Sequence, residues 1–205
     1  MSIQMNTPNK LSIIRVVLTP LFMAAALFTK DMHVWTRMIP AALFGLAALT
    51  DFLDGRIARK RNIVTDFGKF IDPLADKFMI FGACITFLVI DPVTAPVFVW
   101  VSAAVMLREL AVTSMRLVVA TKSGIVIAAS FFGKCKTVTQ IVAVLAMFLE
   151  PVLGWLCGLL GISFLAEFFG HYILSYVTMA AMGIATVASG IDYLRSYAPH
   201  IDPNK

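Results

Sequence analysis

The strongest constraint in this sequence is a series of six apolar runs, each near bilayer-crossing length, separated by short polar breaks. A helix rises about 1.5 Å per residue, so about 20 apolar residues span the hydrocarbon layer. The first run covers 11–28, the second 34–53 with a polar extension to Arg59, and the third 67–90, ended by Asp91-Pro92. The fourth covers 95–120, and the fifth 132–149, ended by Glu150-Pro151. An apolar, glycine-rich stretch at 152–169, broken by Glu167, reads as a short interfacial or re-entrant helix, and the sixth run covers 172–197. Hydrophobic residues make up 60% of the 205, more than a soluble interior of this size can hide, so lipid must solvate the surplus. The expectation is an all-α integral membrane protein. It has one domain over 1–205, six transmembrane helices and a short N-terminal interfacial segment that includes Pro8 and Lys10.

Charge distribution gives the expected orientation, because basic residues accumulate on the cytoplasmic side of membrane proteins. With six crossings, all of the 17 Lys and Arg residues except Lys30 and Arg37 fall on one side, together with both termini. Both termini are therefore expected in the cytoplasm, where a net charge of +5 suits anionic headgroups and anionic substrates. Residues 1–10 are polar and no small-residue cleavage site follows the first run, so that run is expected to stay in the protein. Cys84, Cys135 and Cys157 stand among apolar residues at no metal or disulfide spacing and read as packing residues. His33, His171 and His200 are isolated near span ends or in the tail; Trp35 and Trp155 read as interface anchors, and Trp100 as either anchor or core. There is no separate basic domain, and no nucleic-acid role is expected.

The informative charges lie in Asp51-Phe-Leu-Asp54-Gly55-Arg-Ile-Ala58-Arg59 and Gly68-Lys-Phe-Ile-Asp72-Pro-Leu-Ala-Asp76. On a helix, Asp51 and Asp54 share a face, with Gly55 and Ala58 near it; Gly68, Asp72 and Asp76 share a face of the next helix. The short connection at 60–66 is expected to make those two helices antiparallel neighbours, so four carboxylates converge at their cytoplasmic ends. One aspartate deep in a bilayer costs about 2.5–3.5 kcal/mol on insertion scales, and clustered anions also repel one another. A divalent cation relieves both costs, and hard oxygen donors favour Mg²⁺, Mn²⁺ or Ca²⁺ over zinc. Gly55 and Gly68 would let a ligand approach the backbone, Ala58 leaves room for a flat base, and Arg59 offers charge to a diphosphate or a carboxylate. Caps and ion pairs with Arg56, Arg59 or Lys77 are the plainer alternative for any one of these acids.

The complete pattern D-x2-D-G-x2-A-R-x8-G-x3-D-x3-D, from Asp51 to Asp76, resembles the signature of the CDP-alcohol phosphotransferases. That resemblance implies a six-helix, homodimeric membrane enzyme with a two-metal site, Mg²⁺ or Mn²⁺, open to the cytoplasm. It implies that Asp51, Asp54, Asp72 and Asp76 bind metal and that Asp76 is also the base that deprotonates the acceptor hydroxyl. Gly55, Ala58, Arg59 and Gly68 would contact the CDP moiety.

A second constellation bears on the acceptor: Arg108-Glu109 and Arg116 on the fourth run, then Gly133-Lys134-Cys135-Lys136-Thr137 opening the fifth. Arg108 and Arg116 lie along one helical side, and Lys134 and Lys136 begin the next helix at the same level. Cations so placed invite an anion, a phosphate on the acceptor being the simplest, although topology alone could place any one of them there. These segments, with Asn9-Lys-Leu-Ser12-Ile-Ile-Arg15, are similar to those of the bacterial family members that use CDP-diacylglycerol as donor and glycerol 3-phosphate as acceptor. The resemblance implies a multi-pass protein of the bacterial inner membrane whose partners are those substrates and membrane lipid. Two alternatives stay open: a family member with serine, an inositol phosphate or phosphatidylglycerol as acceptor, and a divalent-cation transporter.

Overall fold

The computed structural model describes residues 7–61, 66–123 and 131–197, with side chains throughout except at 7, 8, 53–61, 66, 69 and 120–123. Most of the described residues are helical. In order they form α1 (Thr7–Thr29), a 3-10 turn (Val34–Arg37), α2 (Met38–Arg61), α3 (Asp66–Ile90), α4 (Ala95–Ser123), α5 (Phe131–Leu159), α6 (Ser163–Gly170) and α7 (Ile173–Tyr197). Among the described residues, five helices are long and apolar enough to cross a bilayer: α1, α3, α4, α5 and α7. α2 has the length, 24 residues, but its second half carries the charged segment that begins at Asp51.

Helix contacts close into a ring. α1 packs on α2 and α3, α3 on α4, α4 on α7, α7 on α5, and α5 back on α2. All six contribute to one core, which includes Phe22, Phe44, Phe87, Phe98, Phe148 and Met182. Edge-on and tilted aromatic contacts tie it together: Phe22–Phe44 at 5.5 Å, Phe87–Phe98 at 6.1 Å and Phe87–Phe148 at 4.4 Å between centroids. The seam between α1 and α3 is close because Gly82 has no side chain; a Cβ there would stand 2.9 Å from Met23 Sδ and 3.0 Å from Thr19 Cγ2. Hydroxyls along the helices bond back into their own turns, as Thr19 does to the Arg15 carbonyl at 2.9 Å and Thr86 to that of Gly82 at 2.7 Å.

Several expectations change. α2 and α3 are not packed side by side; α1 lies between them, and a short loop limits only the distance between helix ends. The second helix begins at Met38, because Val34–Arg37 forms a 3-10 turn. Pro8 and Lys10 belong to the first turns of α1, where proline is tolerated because its nitrogen needs no partner. Trp100 is 76% exposed and is no part of the core.

The largest departure is at Glu150-Pro151, where the chain was expected to leave the helix. α5 continues through it to Leu159. Glu150 is fully buried and accepts hydrogen bonds from the backbone N–H groups of Leu174, 2.8 Å, and Ser175, 2.6 Å. Those N–H groups open α7 and have no partner within their own helix, so Glu150 caps a helix 24 positions away. α5 ends at Gly161 (φ 71°), where the Ile162 N–H reaches the Cys157 carbonyl at 3.0 Å in a Schellman arrangement. α6 then forms a separate short helix with none of its residues buried. Glu150 is also one of the charged and polar groups near Tyr172, with Asp91, Arg37 and Tyr176. Burial first, then the Asp91 charge, pushes the Tyr172 phenol above its ordinary value against the opposing pull of Arg37. Asp91 also shapes the α3–α4 connection by accepting from the Val93 N–H at 3.2 Å.

Candidate active site

At the other end of the ring, a cavity of about 630 Å³ is lined by residues of α2, α3, α4, α5 and α7. Helices that alternate in direction bring the starts of α3 and α5 together with the ends of α2, α4 and α7, which is where the sequence concentrates its charges.

Asp51, Asp72 and Asp76 all line this cavity. α1, wedged between α2 and α3, holds two of them. Ser12 and Arg15 are three residues apart and share a helical face. Arg15 Nη1 lies 2.7 Å from Asp51 Oδ1 on α2, and Ser12 Oγ donates to Asp72 Oδ1 on α3. The Arg15 side chain is 1% exposed and that of Asp51 34%, so a buried cation holds a carboxylate that still faces the cavity. Asp76, one turn beyond Asp72, lies in the fields of Asp51 and Glu109 and of Lys136 and Arg15.

The facing wall is cationic. Arg108, Arg116, Lys134 and Lys136 all line it, as their spacing implied. They are not equivalent. Lys136 is buried, with Nζ 2.5 Å from Glu109 Oε1, and Arg108 Nη1 meets the same oxygen at 3.1 Å. Arg108 Nη2 donates to Ser189 Oγ at 2.5 Å, and Arg116 Nη2 donates to Tyr193 Oη at 2.5 Å. Both guanidiniums lie over the Tyr193 ring, 5.1 and 5.0 Å from its centroid, within cation–π range. Tyr193 in turn stacks on Tyr197. Lys134 is exposed.

Gly68 is buried on α3, one turn before Asp72, and does not line the cavity. The side chains of Asp54, Ala58 and Arg59, and the surroundings of Gly55, lie outside the described residues, although their backbone continues α2. Sequence reasoning gave no role to Ser12, Arg15, Ser189 or Tyr193. The first two carry a signal, a polar pair at helical spacing inside an apolar run. Tyr193 carries none, standing 77 positions from the arginine it bonds.

Carboxylates on one wall and cations on the other can hold a cation and an anion side by side. The donors at Asp51, Asp72 and Asp76 are all carboxylate oxygens, the chemistry a hard divalent ion takes. Among the described residues they do not by themselves close into a coordinating cluster of three.

The sequence that builds this site belongs to a known class. The family model for CDP-alcohol phosphatidyltransferases matches residues 5–187, and the chain belongs to that family. It is 43% identical, over 71% of its length and 77% of the relative's, to a CDP-diacylglycerol–glycerol-3-phosphate 3-phosphatidyltransferase of Bacillus subtilis. It is 34% identical to a probable phosphatidylglycerophosphate synthase of Mycobacterium tuberculosis, over 92% and 80% of the two chains. A Pseudomonas fluorescens protein with the same name as the Bacillus one is 31% identical over 96% of this chain and 92% of its own.

Proposed function

We propose that the chain transfers the phosphatidyl group of CDP-diacylglycerol to sn-glycerol 3-phosphate, giving phosphatidylglycerol phosphate and CMP. The observation that carries this reading is the two-walled cavity: aspartates of α2 and α3 opposite Arg108, Arg116, Lys134 and Lys136. An acceptor that is itself a phosphate gives the cationic wall a ligand, and the relatives' names specify that acceptor. An acceptor without a phosphate leaves it without one.

In this reading Asp51, Asp54, Asp72 and Asp76 hold divalent metal, Mg²⁺ or Mn²⁺ and two ions. The bound metal supplies neutralisation of the donor's diphosphate and of the leaving CMP. Arg15 and Ser12 fix the orientation of Asp51 and Asp72. Gly55, Ala58 and Arg59 receive the CDP moiety. Arg108 and Arg116, spaced by Tyr193, and Lys134 take the acceptor phosphate; Lys136, tied to Glu109, sets the charge near Asp76. Asp76 accepts the proton of the acceptor's primary hydroxyl. The oxygen forms a bond to the donor's β-phosphorus, and the bond from that phosphorus to the bridging oxygen breaks. CMP leaves with the bridging oxygen and its electron pair.

The same reading makes the whole chain one membrane domain with α2 as a sixth crossing, supported by its place in the ring between α1 and α5. The cavity end and both termini then face the cytoplasm of a bacterial inner membrane, following the basic residues, and the family resemblance adds a homodimer.

Purified protein supplied with CDP-diacylglycerol and Mg²⁺ or Mn²⁺ is given glycerol 3-phosphate, serine, an inositol phosphate or phosphatidylglycerol in separate reactions. CMP release that requires glycerol 3-phosphate is the expected result. Release with another acceptor alone overturns the choice of alcohol.

A further inference from the structure

On the outer surface of the ring, a groove of about 270 Å³ runs between α4 and α7. Ala104, Val112, Thr186 and Gly190 lie low in it, while Leu107, Ala111, Ile191 and Leu194 are exposed along it. From Ala104 to Met115 it follows α4 for about 16 Å, roughly half the thickness of the hydrocarbon core. Its lining is apolar apart from Arg108 and Thr186.

Arg108 makes this groove more than a gap between helices. Arg108 and Val112 line both the groove and the charged cavity, so the two spaces share a wall. Gly190 lies beside it: a Cβ there would stand 3.4 Å from Arg108 Cγ, in van der Waals contact, where the arginine stem passes α7. Beyond that point the guanidinium turns to Glu109 and Ser189 inside the ring. One side chain thus offers a methylene stem to an apolar space and a charged head to a polar one. A lipid whose headgroup reacts in the charged cavity and whose hydrocarbon lies outside it fits along that boundary.

We propose that the groove holds one acyl chain of the phosphatidyl group during its transfer, a role that rests on the phosphatidyl-transfer reading above. Donor and product carry the same phosphatidyl group, so a chain seated here keeps its place while the headgroup bond is exchanged. Bulk lipid or a second copy of the chain would cover the groove without regard to the donor's tails, and this difference is measurable.

The test compares wild type with Ala111→Phe and, separately, Ala104→Phe, substitutions that fill the groove outside the charged cavity. Each enzyme is assayed in detergent with glycerol 3-phosphate and either CDP-dioleoylglycerol or the short-chain CDP-dihexanoylglycerol. kcat/KM for the long-chain donor is expected to fall about tenfold and that for the short-chain donor less than about twofold, since only the long tail loses its apolar contacts. Equal losses with both donors, or no loss with the long one, overturn the assignment. So does a change in the particle mass of the variants, which would place a second copy in the groove. A donor with a diazirine in its acyl chain tests wild type directly. Crosslinks within 104–115 or 186–194 are expected, and crosslinks confined to other helices overturn the proposal. Absence of CMP release from either donor by wild type overturns the transfer reading itself, and this proposal with it.

Discussion

The two ends of the helix ring both bury charge, and they use it in opposite ways. At one end Glu150 is fully enclosed, and each of its oxygens accepts a backbone N–H of α7. At the other, Asp51 and Asp72 each use one oxygen toward α1, in a cavity of about 630 Å³ that Asp76 shares. Burial alone therefore does not mark a functional acid. A carboxylate whose hydrogen-bonding capacity is taken up by the fold is architecture; one that the fold orients while leaving it beside open space is available to a ligand.

Substitutions at three positions bear on that contrast. Asp76→Asn keeps the shape of the site but removes the base, and CMP release is expected to fall by about 10²–10⁴-fold with the unfolding temperature in detergent little changed. Near-normal turnover would place Asp76 with the architectural acids. Tyr193→Leu takes away the ring beneath both arginines, so KM for glycerol 3-phosphate is expected to rise about tenfold with a smaller change in kcat. Tyr193→Phe, which keeps the ring and loses only the hydroxyl, should fall between this variant and wild type in steady-state assays. Glu150→Gln leaves one α7 N–H without its acceptor, and a loss of about 1–3 kcal/mol is expected as a lower unfolding temperature. Its kcat and KM below that temperature should match wild type; a kinetic defect without a stability defect would break the division between the ends.

What the sequence made legible follows from the range of its signals. Apolar runs and their breaks located α1, α3, α4 and α7 closely, because a bilayer demands a helix of set length whatever its neighbours are. Four-residue spacing brought Asp72 and Asp76 to one cavity, and eight-residue spacing did the same for Arg108 and Arg116. Partner choice was not legible. A helix face turned to lipid and one turned to protein are equally apolar, so apart from Ser12 and Arg15 the run 11–28 gave no sign that α1 would lie between α2 and α3. Glu150-Pro151 carries the local marks of a helix end, and the use that overrides them is on α7. The pairing of Lys136 with Glu109 was hidden for the same reason: the two stand on different helices.

The position of α1 also bears on how the protein enters the membrane. A chain is made from its N-terminus, so Arg15 is synthesised before Asp51 and α1 before α2. The guanidinium that pairs with Asp51 is therefore already in place on the preceding hairpin arm when that carboxylate leaves the ribosome. An isolated aspartate costs up to about 2.5–3.5 kcal/mol to insert at the bilayer centre and less toward the interface, and the order of the chain gives Asp51 a counter-ion from the outset.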